Sequence, residues 1–134
     1  MAPEPTSSTA VVQSFLDLLA TGHAEDAVAL LAPGIEWRNT GMPSVRGKRV
    51  VGMLRDMERR RIGFRVDMHN VAENGPVVLT DRTDILTWGR WESSFWVCGT
   101  FEVHDGLITL WDDHFSPGNF VTASIRGLIG MARP

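Results

Sequence analysis

The chain reads as an α+β protein, with helices first and a strongly curved, mostly antiparallel sheet after them. Three observations predict this. Apolar residues recur at helical spacing up to about residue 61, and from Gly63 onward they alternate with period two. Asn74-Gly75 and Asp105-Gly106 each separate two alternating runs, the pattern of a hairpin turn. The order helix, helix, strand, helix, meander places the helices on one side of the sheet. About three to four helices closing the mouth of such a sheet leave an interior pocket.

Each element has its own reason. Met1–Thr9 is polar and proline-containing and is expected to be a flexible N-terminal tail, with one domain over residues 10–134. Ser8 or Thr9 can cap a helix running to about Ala20, whose stripe is Val11, Val12, Phe15, Leu16, Leu18 and Leu19. Thr21-Gly22-His23 breaks it. Ala24–Leu31 reads as a short second helix stopped by Pro33-Gly34. Ile35–Asn39 alternates as a strand, with Ile35, Trp37 and Asn39 on one face. Gly41–Gly47 reads as a loop. Lys48–Arg61 returns to helical spacing through Val51, Leu54 and Met57. Strands follow over Phe64–Val71, Val77–Trp88, Glu92–His104 and Leu107–Phe115. A last helix is expected over Asn119–Met131, weakened by Gly127 and Gly130.

Composition narrows the function. A chain of 134 residues is long enough to bury a proper core. Net charge −3 argues against binding nucleic acid. The run Glu58-Arg59-Arg60-Arg61 falls at a helix end, where cations suit the macrodipole, and reads as solvated. Cys98 is the single cysteine, so no intrachain disulfide forms. Within Phe95-Trp96-Val97-Cys98-Gly99 it reads as a small buried hydrophobe. The four histidines show no paired spacing, so no metal site is expected. No apolar stretch reaches the length of a membrane span, and nothing resembles a signal peptide, so the cytoplasm is the expected compartment.

The chemistry lies in two strands. In Asp81-Arg82-Thr83-Asp84-Ile85-Leu86, residues two apart share a face, so Arg82, Asp84 and Leu86 point together. In Leu110-Trp111-Asp112-Asp113-His114-Phe115, Trp111 and Asp113 share a face. A charge aimed into an apolar interior costs several kcal/mol unless paired. If Asp113 faces the same interior as Arg82 and Asp84, the set becomes neutral with one shared proton. It then offers one carboxylic acid and one carboxylate to one cavity, a general acid beside a general base. The inner face would also carry Trp37, Asn39, Phe95 and Val97.

These residues resemble the limonene-1,2-epoxide hydrolase family, a branch of the NTF2-like (SnoaL-like) cone fold. The family's Arg-x-Asp matches Arg82-Thr83-Asp84. Its second Asp, in a Trp-x-Asp-x-Phe context, matches Trp111-Asp112-Asp113-His114-Phe115. Its Tyr-x-Asn matches Trp37-Arg38-Asn39 with Trp replacing Tyr. The likeness covers nearly the whole chain in order and spacing. It implies a cofactor-free, one-step hydrolysis of a small apolar epoxide by water to a vicinal diol. Asp113 would take a proton from water held by Asn39 and Trp37. Asp84 would donate to the epoxide oxygen, and Arg82 would bridge the carboxylates. Val66, Met68, Leu86, Phe95, Val97 and Phe115 would line the substrate pocket. The resemblance also implies a homodimer, while net charge and the absence of a long apolar stretch leave no nucleic-acid or membrane partner expected. An indole N–H can replace a tyrosine hydroxyl as a donor to the water. An epoxide-opening cyclase, or another SnoaL-like cyclase or isomerase, would use a similar site. A non-catalytic ligand-binding module of the same fold is a further alternative.

Overall fold

A computed structural model describes residues 7–132. It contains four helices and one six-stranded sheet: α1 (Ser8–Ala20), α2 (Ala24–Val28), β1 (Leu31–Asn39), β2 (Val45–Arg46), α3 (Lys48–Arg59), β3 (Gly63–Asn74), β4 (Val77–Trp88), β5 (Trp91–His104), β6 (Leu107–His114) and α4 (Pro117–Ala132). The strand order is β2-β1-β6-β5-β4-β3. Neighbours run antiparallel except β1 and β6, which are parallel. The sheet is curved and unclosed, and the α+β architecture is the one the sequence predicts. No helix among the described residues is long and apolar enough to cross a membrane.

The core lies between the helices and the inner face of the sheet. Val11, Val12, Phe15 and Leu16 of α1 are buried, as their spacing requires. They pack with Ile35 of β1, Phe101 of β5, and Ile108 and Trp111 of β6. From α3, Val50 and Leu54 are buried, so the helix turns Val50 rather than Val51 inward. Cys98 is only half-buried, because it falls on the outer parity of β5.

Several boundaries differ from expectation, each for a local reason. Ser7 caps α1, its hydroxyl accepting from the Ala10 N–H at 3.1 Å. Ser8 and Thr9 therefore belong to the helix, and Thr9 is tied to Glu73 through backbone and side chain at 2.7 and 2.9 Å. The rest of the expected tail lies outside the described residues. α2 ends at Val28, and Leu31 already pairs with Ile108. Pro33-Gly34 is therefore an irregularity inside β1 and not a helix stop; Pro33 has no N–H for the ladder, and the register shifts between Leu31 and Glu36. The expected loop after β1 holds the two-residue strand β2, paired through Glu36–Arg46 and Trp37–Val45. The last helix starts at Pro117, a position whose missing N–H costs a first turn nothing. Gly127 is required there, since a Cβ would lie 2.1 Å from the Glu92 carbonyl oxygen of β5.

Candidate active site

Cross-strand register builds the site. On β4 the inward residues are Thr80, Arg82 and Asp84, all buried, followed by Leu86. Thr80 lies opposite Gly99 of β5, and Gly99 lies opposite Asp113 of β6. Asp113 in turn is beside Asn39 of β1, and Trp111 is beside Trp37. Four strands thus bring one row of side chains to the floor of a cavity of about 470 Å³.

Arg82 is fully buried and sits between the two carboxylates. Its Nε donates to Asp84 Oδ1 at 2.7 Å and one Nη to Asp84 Oδ2 at 3.1 Å. The same Nη donates to Asp113 Oδ1 at 2.8 Å. The other Nη donates to the Thr80 hydroxyl at 2.8 Å. The guanidinium also lies 5.7 Å from the centre of the Phe101 ring. Bonds from all three of its nitrogens hold the planar guanidinium in one orientation.

Asp113 receives a second bond from the Trp111 indole N–H at 2.9 Å. Trp111 is held edge-on by Phe15 and stacks flat on Trp37, with ring centres 4.1 Å apart. That stack fixes the Trp37 ring at the cavity wall. Its N–H is buried and has no acceptor among the described residues. A buried donor without a partner is costly, and at a cavity wall it marks a place for a ligand oxygen.

Electrostatics follow from burial and charge count. Burial pushes both carboxyls above the usual carboxylate range. For Asp84 the Arg82 hydrogen bonds and charge oppose the rise. For Asp113 burial is again the largest cause; Arg82 pulls it down, Asp84 pushes it up, and the outcome is about 6. Burial alone would lower the Arg82 pKa, but the two carboxylates hold it above its ordinary value. One cation facing two acids favours a single proton on the pair, which is lost as pH rises through about 6.

Most residues singled out in the sequence converge here. Trp37, Asn39, Asp84, Leu86, Phe95, Val97, Asp113 and Phe115 line the cavity, and Arg82 lies directly behind the acids. Val66 and Met68 do not line it. They share the inward parity of β3 but are spent packing against the core. Reading the sequence missed three contributors. Thr80 orients Arg82, Trp111 donates to Asp113, and Gly99 makes room for both. A Cβ at Gly99 would lie 2.3 Å from an Arg82 Nη and 2.9 Å from Asp113 Oδ1. A glycine inside a central strand is the signal that could have found it. Phe120 of α4, packed edge-on against Phe95, adds wall from the last helix, which the sequence placed but did not connect with the cavity.

A model of the limonene-1,2-epoxide hydrolase catalytic domain matches residues 6–126. The chain belongs to the limonene-1,2-epoxide hydrolase family. With it, the chain is placed among the epoxide hydrolases. Epoxide hydrolase EphG of Mycobacterium tuberculosis is 39% identical over 124 residues, covering 92% of this chain and 83% of that protein. The solved structure of a limonene-epoxide-hydrolase-like epoxide hydrolase from M. tuberculosis superposes with a TM-score of 0.89 at 38% identity, covering 97% of this chain and 98% of the other. An NTF2-like protein from Burkholderia pseudomallei superposes with a TM-score of 0.75 at 15% identity, covering 90% of this chain and 98% of the other, and shows the shared fold alone.

Proposed function

We propose that this protein hydrolyses an apolar epoxide in one step, without a cofactor, giving a vicinal diol. The observation that carries the reading is one guanidinium held between two buried carboxyls at the floor of an apolar cavity. A nucleophilic water sits against Asp113, with its oxygen accepting from the Trp37 N–H and one hydrogen given to Asn39 Oδ1. As Asp113 takes the other proton, the water oxygen attacks an epoxide carbon. The carbon–oxygen bond of the ring breaks, and the departing oxygen takes the proton of Asp84. The diol leaves with Asp84 ionised and Asp113 protonated. Return of the proton to Asp84 resets the pair.

The resting site biases the proton the other way. Arg82 grips Asp84 with two hydrogen bonds and Asp113 with one, which favours the charge on Asp84. A bound water reverses this by donating to the Asp113 carboxylate and lifting part of its desolvation. The substrate therefore meets a protonated Asp84 only when the nucleophile is in place. Each proton transfer is worth ~10²–10⁴-fold in rate.

The experiment is a single turnover of a cyclic epoxide in heavy-oxygen water. The expected result is label in the diol from the first turnover and none in the protein. Label first appearing in an aspartate would mean a covalent ester and end the direct-attack reading. The same reading takes the protein as a cytoplasmic homodimer, tested by sedimentation.

A further inference from the structure

The three consecutive arginines at the end of α3 do not share one fate. Arg59 and Arg60 both pair with Asp56. Arg61 lies past the helix in the left-handed region, at φ 60. Its N–H bonds to the Glu58 carbonyl at 3.0 Å, and the Ile62 N–H bonds to the Met57 carbonyl at 2.9 Å. This is a Schellman ending, where the left-handed residue is usually glycine because a side chain there is strained. Helix termination does not account for an arginine at this point.

Its surroundings do. Arg61 lines the same cavity as Asp84 and Asp113, and it is the one cation among the described lining residues. It forms no ion pair with any described residue. Glu58, its acidic neighbour at the rim, instead accepts the Ala24 N–H at 2.9 Å. Between Arg61 and the acids the wall is apolar, with Met57, Ile62, Phe64 and Leu86 among its residues. Asp84 lies opposite Val66, five residues along the chain from Arg61. The strand part of that separation, Gly63 to Val66, spans about 10 Å at about 3.3 Å per residue, the length of a medium-chain hydrocarbon.

We propose that Arg61 determines specificity for amphiphilic epoxides, binding a terminal carboxylate while the hydrocarbon chain fills the cavity and the ring reaches the carboxyl pair. The assignment rests on the epoxide-hydrolase reading above, and the test separates the two. The probes are the terminal epoxide of undecanoic acid and its methyl ester, with undecanoic acid and methyl undecanoate as unreactive counterparts. The wild-type protein is expected to prefer the acid by about five- to tenfold in kcat/KM, mainly through KM, as for a partly solvated ion pair. High salt should shrink that ratio. Arg61→Gln should erase it and Arg61→Lys should keep part of it. Arg61→Gly should erase it while raising Tm, because glycine suits the left-handed position, so loss of fold cannot imitate the result.

Equal turnover of acid and ester by the wild type, or an unchanged ratio in Arg61→Gln, overturns the proposal and leaves epoxide hydrolysis standing. If neither epoxide is turned over, calorimetry with the unreactive pair decides. Tighter binding of undecanoic acid that depends on Arg61 supports the anion site while the hydrolase reading fails; equal binding overturns both.

Discussion

Asp113→Asn should separate stability from activity in a way that only a buried, proton-hungry carboxylate produces. The Asp113 carboxyl is raised from 3.8 to about 6 by the fold. A folded-state pKa above the unfolded value means that the native protein holds more protons between those two pH values. Stability is therefore greatest below the unfolded pKa and falls as pH rises toward about 6. The full loss is on the order of 3 kcal/mol. Asparagine keeps the shape and lets Arg82 donate to an amide oxygen, leaving Arg82 and Asp84 as a neutral pair. It weakens one charge-assisted bond and sets its NH₂ against the Trp111 N–H, together costing about 2 kcal/mol at any pH. The variant should thus be less stable than wild type near pH 4 and slightly more stable at pH 8. The difference between the two proteins should swing by about 3 kcal/mol across that range. Urea unfolding at both pH values measures it. Over the same range kcat/KM should be down by ~10²–10⁴-fold, because the amide cannot take a proton. A stability difference independent of pH would refute the reasoning, since Asp113 would then titrate alike in folded and unfolded chains.

The other expectations can be stated briefly. Because the pair needs one proton, kcat/KM should fall with unit slope as pH rises through about 6; a flat profile from about pH 5 to 9 would remove the acid–base pair from the mechanism. Trp37→Phe should lower kcat roughly ten- to a hundredfold, the worth of one hydrogen bond to a reacting group, whereas Trp37→Tyr should retain activity; wild-type kcat in Trp37→Phe would leave the ring as wall only. Gly99→Ala should abolish turnover and destabilise by about 1–3 kcal/mol through overpacking against Arg82 and Asp113, and its crystal structure should show the guanidinium displaced. Trp111→Phe should raise the alkaline limb of the pH profile, because the indole N–H holds the Asp113 pKa down.

The sheet was legible because alternation is a strong signal; the Asp105-Gly106 turn fell on its dipeptide, whereas the first turn is Gly75-Pro76, one residue on, with Asn74 pairing Val77 inside the ladder. The join of α2 and β1 was not. Pro33-Gly34 punctuates a helix and interrupts a strand with the same two residues, and only pairing with β6 decides between them. The charged row was legible by parity, since Arg82 and Asp84 are two apart on one strand. Parity says which face a residue takes and nothing about its height relative to another strand. Val66 and Met68 face inward yet lie where core packing covers them. Gly99, Thr80 and the donor role of Trp111 depend on cross-strand register, which one sequence does not display.

The one parallel pairing in the sheet has a kinetic consequence. Arg82 and Asp84 are two residues apart, so β4 carries a self-neutralised pair as soon as the β3–β4–β5 meander forms. The excess negative charge arrives only with β6, which brings Asp113 beside both that pair and Asn39 of β1, a partner 74 residues away in the chain. Closing this long-range contact is a slow kind of step, because loop entropy is spent before any contact is gained. Here the step also forces an ionised carboxylate out of water. Protonation removes that part of the barrier, so docking of the final strand should run faster in mild acid than at pH 8. The feature that equips the chain for chemistry is then also the one that delays its completion.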